Sequence, residues 1–77
     1  MSSTEYLRMM MASGAPAGTR WVSCAERQPA SSGPYKVIRR KGGHYDYDLY
    51  HWNGGYWVTR GNSPTQAVEA WLEIIPS

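Results

Sequence analysis

The side chains best able to do chemistry in this chain gather between Tyr35 and Arg60. His44, Asp46 and Asp48 recur at every second position, the spacing that places side chains on one face of a β-strand. Imidazole and carboxylate together suit zinc or manganese. Alternate residues of a strand lie about 7 Å apart, however, too far for three of them to meet one ion. The row therefore reads as a solvated polar face on which Asp46 answers Arg39 across a hairpin, and no metal is expected. Arg39, Arg40 and Lys41 stand near Tyr45, Tyr47 and Tyr50, the ingredients of a platform that stacks bases and neutralises phosphates. Arg39 and Arg40 point to opposite faces of any strand, and no basic stripe accompanies them. Cys24 has only Glu26 and Arg27 close in sequence, which gives no clear push toward a thiolate; it reads as a small buried hydrophobe. No nucleophile is set beside a base. Hence no catalytic residue, no cofactor and no enzymatic activity are expected.

The elements that must position these residues follow from periodicity. Tyr35 to Arg60 reads as three short strands joined by two turns. Within it Tyr45, Tyr47, Leu49 and His51 point one way, and Asp46, Asp48, Tyr50 and Trp52 the other. Gly42-Gly43 and Asn53-Gly54 suit tight hairpin turns, whose two central positions take positive φ. Two-residue turns would pair Lys41 with His44, Arg39 with Asp46 and Ile38 with Tyr47, then Tyr50 with Trp57 and Leu49 with Val58. On that register Ile38, Tyr47, Leu49 and Val58 form the core side. Tyr35, Tyr50 and Trp57 are left as a partly exposed aromatic patch edged by Arg39 and Asp46. A one-residue slip would exchange the two sets.

Before this meander, Ser2 and Glu5 have the spacing of a capping box, and Tyr6, Leu7, Met10 and Met11 share one side of a helix. So short a helix needs docking to be stable, and the methionines suit an adaptable contact with the body of the fold. Ser13 to Thr19 is a linker by composition. After the meander, Ser63-Pro64-Thr65-Gln66 resembles a helix start, and Ala67, Val68, Trp71, Leu72 and Ile75 follow a helical stripe. Val68, Ala70, Leu72 and Ile74 also alternate as a strand would. A turn near Pro64 and a strand from Val68 to Ile75 are expected, with the helical alternative open beside them.

Seventy-seven residues make a single domain with a thin margin of stability. Four Trp and six Tyr replace Phe entirely, so every large aromatic carries a polar tip. A net charge of +2 is too mild to argue for nucleic acid or membrane. One cysteine allows no internal disulfide and fits a reducing compartment, and no apolar run has the length of a membrane span or signal-peptide core. The expected fold is α+β and mostly β: a small antiparallel sheet, a meander of three to four strands, with a short N-terminal helix. Residues 1–19 form the helix and linker, and residues 20–77 a single β-rich domain.

Trp21-Val22-Ser23, Glu26-Arg27 and Pro29, a Val-Ile strand, the tyrosine-rich hairpin with Gly55-Tyr56-Trp57, then Val68, Trp71 and Pro76 follow in a telling order. In that order the chain resembles the domain of unknown function 551, a family of small proteins of tailed bacteriophages and prophages. The resemblance spans Arg20 to Pro76 and also favours the strand after Pro64. It implies a β-rich phage accessory protein and assigns no functional residue. Aromatic residues and Arg dominate protein interfaces. The expected function is therefore a non-enzymatic module that binds a host protein through Tyr35, Arg39, Asp46, Tyr50 and Trp57, inhibiting or modulating it in the bacterial host cytoplasm. A counter-defence factor of the anti-CRISPR type is one form. The alternative is a single-stranded nucleic-acid binder using the aromatic and basic sheet face. Homodimers through an unpaired edge, Tyr56 to Arg60 or Val68 to Ile75, are a further possibility.

Overall fold

The computed structural model describes residues 3–75. The elements are α1 (Ser3–Ser13), β1 (Thr19–Ser23), β2 (Gly33–Lys41), β3 (His44–Trp52), β4 (Trp57–Val58), β5 (Pro64–Thr65) and β6 (Val68–Ile74). All six of these strands lie in one antiparallel sheet, in the spatial order β1-β6-β2-β3-β4-β5. The domain is mostly β with one short helix. A meander of three to four strands was too small an expectation, because β1 and β6 add to its β2 side and β5 extends the other. The segment after Pro64 is a strand and not a helix. Ser2, the expected cap of α1, and Pro76 lie outside the described residues.

Three pairs of consecutive residues are buried: Trp21-Val22 in β1, Val37-Ile38 in β2 and Ala70-Trp71 in β6. Neighbours along a strand point to opposite faces, so burial of both means that the sheet is covered on both sides there. The pairs line up across the sheet, with Val22 and Val37 both opposite Trp71, and Ile38 opposite Ala70. This is why β6 runs between β1 and β2. A strand apolar on both faces belongs inside a sheet, and Val68–Ile74 is not the free edge that self-association would use. Nor is β4, which pairs β3 on one side and β5 on the other. Glu69 is the extra residue where the β2–β6 register shifts, and it reaches the guanidinium of Arg40.

One cover is α1. Leu7, Met10 and Met11 pack against Trp21, Ile38 and Ala70, and Tyr6 stacks on Tyr45 with ring centroids 6.1 Å apart. The helix therefore docks on the sheet, as its apolar side requires. Gly14 follows it closely: a Cβ there would stand 2.6 Å from the Tyr47 hydroxyl and 3.0 Å from the Met10 carbonyl. The other cover is the loop of residues 24–32, which carries the chain from β1 across β6 to β2. We call the two sides the helix face and the loop face.

The first hairpin has the expected register, with Lys41 opposite His44, Arg39 opposite Asp46 and Ile38 opposite Tyr47. Gly42 (φ 55°) and Gly43 (φ 88°) take the positive φ values that this turn demands. The second turn differs from expectation. His51 pairs Val58 and Trp52 pairs Trp57, leaving residues 53–56 as the loop. Asn53 is the cause: its Oδ1 accepts the backbone N–H groups of Gly55 and Tyr56, both at 2.9 Å, which closes a wider turn. The shift is two residues, so no side chain changes face.

Ile38 is buried on the side expected for the core, with Val58 half-buried, but the larger part of the core lies on the other side. Val22, Val37, Tyr50, Trp52, Trp57, Val68 and Trp71 form the larger buried cluster, on the loop face. On the helix face, Tyr47 is 43% and Leu49 51% exposed. Trp71, at 2% exposure, is the most buried aromatic, whereas Trp21 at 8% is less buried than Trp57, because β1 is an edge strand.

Candidate functional site

The five residues expected to bind a partner do share one face, but they form a structural cluster and not an exposed patch. Tyr50 and Trp57 are buried, at 6% and 4% exposure, and Tyr35, Arg39 and Asp46 are half-buried. Arg39 Nε donates to Asp46 Oδ1 at 2.7 Å and Nη2 to Oδ2 at 3.3 Å, a forked pairing across β2 and β3. Its Nη1 donates to the Tyr50 hydroxyl at 2.8 Å and lies 3.3 Å from Asp48 Oδ2. Arg60 Nη2 approaches Asp48 Oδ1 at 3.3 Å. The hydrogen bonds from Arg39 hold the Asp46 carboxyl below its ordinary range, and those to Asp46 and Tyr50 push Arg39 up. These groups satisfy one another. Arg39 and Asp46 edge the core and keep the hairpin in register.

Tyr35 continues the cluster, packing edge-on against Trp57 (6.0 Å) and Trp71 (5.4 Å), while Trp52 and Trp57 lie 5.1 Å apart. The polar tips of three of these rings hold the covering loop. Trp71 Nε1 donates to the Arg27 carbonyl at 3.0 Å, Trp57 Nε1 to Gln28 Oε1 at 3.3 Å, and Tyr35 Oη to the Ser31 carbonyl at 2.8 Å. Pro29, within the loop, is buried. Arg27 also lies over the Trp71 ring at 5.2 Å and donates to Glu73 Oε2 at 2.6 Å; Arg20 donates to Oε1 at 2.9 Å. The Glu73 carboxyl is held below its ordinary range by Arg27 first and Arg20 second.

Cys24 sits where this loop leaves β1, and burial pushes its thiol up to about 11. It stays protonated at neutral pH and is no nucleophile. His44, Asp46 and Asp48 do lie on one face, but both aspartates answer Arg39. Among the described residues no group of three or more His, Cys, Asp and Glu gathers as metal ligands would. Both arginines of the Arg39-Arg40-Lys41 run are engaged by carboxylates, Arg40 by Glu69.

Exposed large apolar side chains lie elsewhere: Tyr6 and Met9 on the helix, Tyr56 in the second turn, Ile74 and Ile75 where β6 ends, and Tyr47 and Leu49 on β3. Tyr47 and Leu49 stand on the helix face of β3, with Lys36 opposite Leu49 and the Lys36 ammonium 5.6 Å from the Tyr47 ring centroid. The helix reaches this region only at its margin, where the Tyr47 hydroxyl donates to the Met10 carbonyl at 3.2 Å. Reading the alternation of β3 alone missed this face, since both of its residue sets contain aromatics. A signal was present in the consecutive apolar pairs Trp21-Val22, Val37-Ile38 and Ala70-Trp71, which mark the strands covered twice; β3 has the single pair Leu49-Tyr50, of which Tyr50 alone is buried. Among the described residues no helix is long and apolar enough to cross a membrane. No protein family, characterised protein or solved structure matches this chain.

Proposed function

We propose that this protein is a non-enzymatic protein-binding module whose contact surface is centred on Tyr47 and Leu49. One observation carries this reading: Tyr47 and Leu49, two residues apart on β3, stand on the same face of the sheet and are each about half exposed, whereas the other exposed aromatics, Tyr6 and Tyr56, lie on the helix and in a turn. Large apolar side chains side by side on a small domain cost solubility and mark contact surfaces. The engagement of Arg39 and Arg40 by carboxylates favours this over binding of nucleic acid, which needs cations free to meet phosphate. The order of residues from Trp21 to Trp71 supports a bacteriophage accessory protein that acts in the host cytoplasm by inhibiting or redirecting a host protein, as an anti-CRISPR does.

The test is affinity capture from bacterial lysate with mass spectrometry, using the wild type and Leu49→Glu side by side. A host protein retained by the first and lost by the second, with unchanged melting temperature, is expected. Equal capture by both removes Leu49 from the contact, and a wild type that captures nothing from its host ends the reading.

A further inference from the structure

We infer that the partner binds by strand addition, laying an extended segment along the outer edge of β3; this rests on the protein-binding reading above. The edge is a consequence of the unequal neighbours of β3. On one side β2 pairs with it over all nine residues, from His44 to Trp52. On the other, β4 pairs only with His51 and Trp52. From His44 to Tyr50 no strand of the described chain lies on the outer side.

Which backbone groups face outward follows from the sheet itself. The Arg40 N–H donates to the Ala67 carbonyl at 2.7 Å, on the β6 side of β2. The odd-numbered residues of β2 therefore turn their hydrogen-bonding groups toward β3, where they meet even-numbered partners such as Asp46 and Asp48. Tyr45, Tyr47 and Leu49 must then direct theirs outward. Leu49 fits this geometry: its N–H finds no strand and is taken at 2.8 Å by the neighbouring Asp48 carboxylate. On their outward side Tyr45 and Tyr47 are paired with no strand and make no turn or loop backbone hydrogen bond among the described residues. Such a row of free donors and acceptors is a template for another strand.

The same three residues carry their side chains on the helix face, and Tyr47 and Leu49 are exposed there. An added strand would thus gain ladder hydrogen bonds at its edge and apolar contacts on one of its faces. The other edge of this end of the sheet is poorer. There β5 has two residues, and Pro64 has no N–H to offer.

The occupant is a segment of a different protein and not a second copy. Pairing β3 with itself about Tyr47, the register that overlaps all three outward residues, sets Asp46 opposite Asp48 of the other chain and crowds four carboxylates around two Arg39 side chains, and like charges directly opposite destabilise a strand pair. The matching segment alternates apolar residues, facing Tyr47 and Leu49, with neutral or basic residues facing the two aspartates.

A displayed library of random linear peptides supplies the probe. Selected peptides are expected to alternate apolar with neutral or basic residues, and to shift and protect the Tyr45 and Tyr47 amides in NMR spectra. Tyr47→Pro removes an outward N–H that the fold does not use, whereas Tyr47→Ala removes the same side chain and keeps it. Proline should weaken binding about tenfold beyond alanine, the loss expected for a well-formed hydrogen bond. Should the proline variant unfold, an ester in place of the Asp46–Tyr47 peptide bond removes the same N–H. Equal binding by the alanine variant and by the variant lacking the N–H overturns strand addition, as do shifts that map away from β3, a library that yields no binder, or amide shifts that grow with protein concentration alone, the mark of self-pairing. A host protein whose capture survives loss of that N–H leaves the binding-module reading standing and ends this one.

Discussion

The two faces of this sheet are built from similar materials and end in different states. Along β3 the loop face presents Asp46, Asp48, Tyr50 and Trp52, and the helix face Tyr45, Tyr47, Leu49 and His51. By hydrophobicity the second set is the better core. Yet Tyr50 and Trp52 are buried, while Tyr47 and Leu49 are about half exposed. What separates the faces is the reach of each cover. The helix lies over β1, β6 and β2, and extends only to Tyr45 and Tyr47. The loop of residues 24–32 offers acceptors to the polar tips of Tyr35, Trp57 and Trp71. A tryptophan or tyrosine is buried cheaply only where its N–H or O–H finds a partner. The loop supplies three such partners, to Tyr35, Trp57 and Trp71, and Arg39 a fourth to Tyr50, whereas Trp21, buried on the helix face, leaves its Nε1 without one among the described residues.

The comparison breaks most visibly by truncation. Trp71→Ala removes the most buried aromatic of the loop face and should cost about 3–5 kcal/mol, close to the whole stability of so small a domain. Leu49→Ala, on the open part of the helix face, should change stability by no more than about 0.5 kcal/mol. Chemical denaturation followed by circular dichroism measures both. Similar losses at the two sites would mean that the helix face is closed in solution.

Thiol chemistry sharpens the contrast without removing bulk from the core. Burial pushes the Cys24 thiol up to about 11, two units above its ordinary 9.0, which leaves about a hundredfold less thiolate at neutral pH. A more basic thiolate is also the better nucleophile, so Cys24 should react with iodoacetamide about tenfold more slowly than a cysteine placed by Leu49→Cys in a Cys24→Ala background. Equal rates would show the loop opening as readily as the bare strand. Because Cys24 begins that loop, its rate also reports loop motion directly.

Much of the fold could be read from the chain, for identifiable reasons. The Gly42-Gly43 turn has one tight geometry, so the β2–β3 register followed from it, and Arg39 and Asp46 met as expected. The helix and the strand from Val68 were also readable. The position of β6 between β1 and β2 was not, because strand order depends on a crossover that no local pattern encodes. The second turn was misread because the Asn53 side chain, not the Asn-Gly backbone preference, decides its width. The expected site failed at one step: its five residues share a face, but burial depends on the loop, whose aromatic partners stand far off in sequence. Tyr47 and Leu49 were visible as residues and assigned to the core.

A smaller effect tests whether the polar tips hold the loop. Tyr35→Phe removes the hydrogen bond to the Ser31 carbonyl while leaving the ring packed between Trp57 and Trp71. The hydroxyl is near solvent, so the loss should be about 0.5 kcal/mol in equilibrium unfolding. The Cys24 alkylation rate should nevertheless rise, since the loop has lost one of three tethers. A rate unchanged from wild type would assign the loop's position to Pro29 and packing instead.

The smallest expected effect is electrostatic, and its sign is determined. Asp46 and Glu73 are both held below the ordinary carboxylate range, by Arg39 and by Arg27 with Arg20 respectively. A carboxylate with a lowered folded value contributes stability that is complete above its unfolded value, about 3.9 for Asp and 4.3 for Glu. That contribution disappears as pH falls through the lower folded values. Stability should be flat from neutral pH down to about 5 and then decline, less steeply in high salt, because these pairs are open to solvent. The decline should be local at first. Arg27 lies between Glu73 and the Trp71 ring, so the Trp71 indole N–H resonance should move as Glu73 titrates. Trp21, on the helix face beneath Met10 and Met11, is the internal reference and should move less. Glu73→Gln should abolish the early Trp71 shift and leave the Asp46 part of the decline; Arg39→Gln should do the opposite. A Trp21 resonance that moves together with that of Trp71 would mean that acid loosens both faces at once, and that the ion pairs do not fasten the loop in particular.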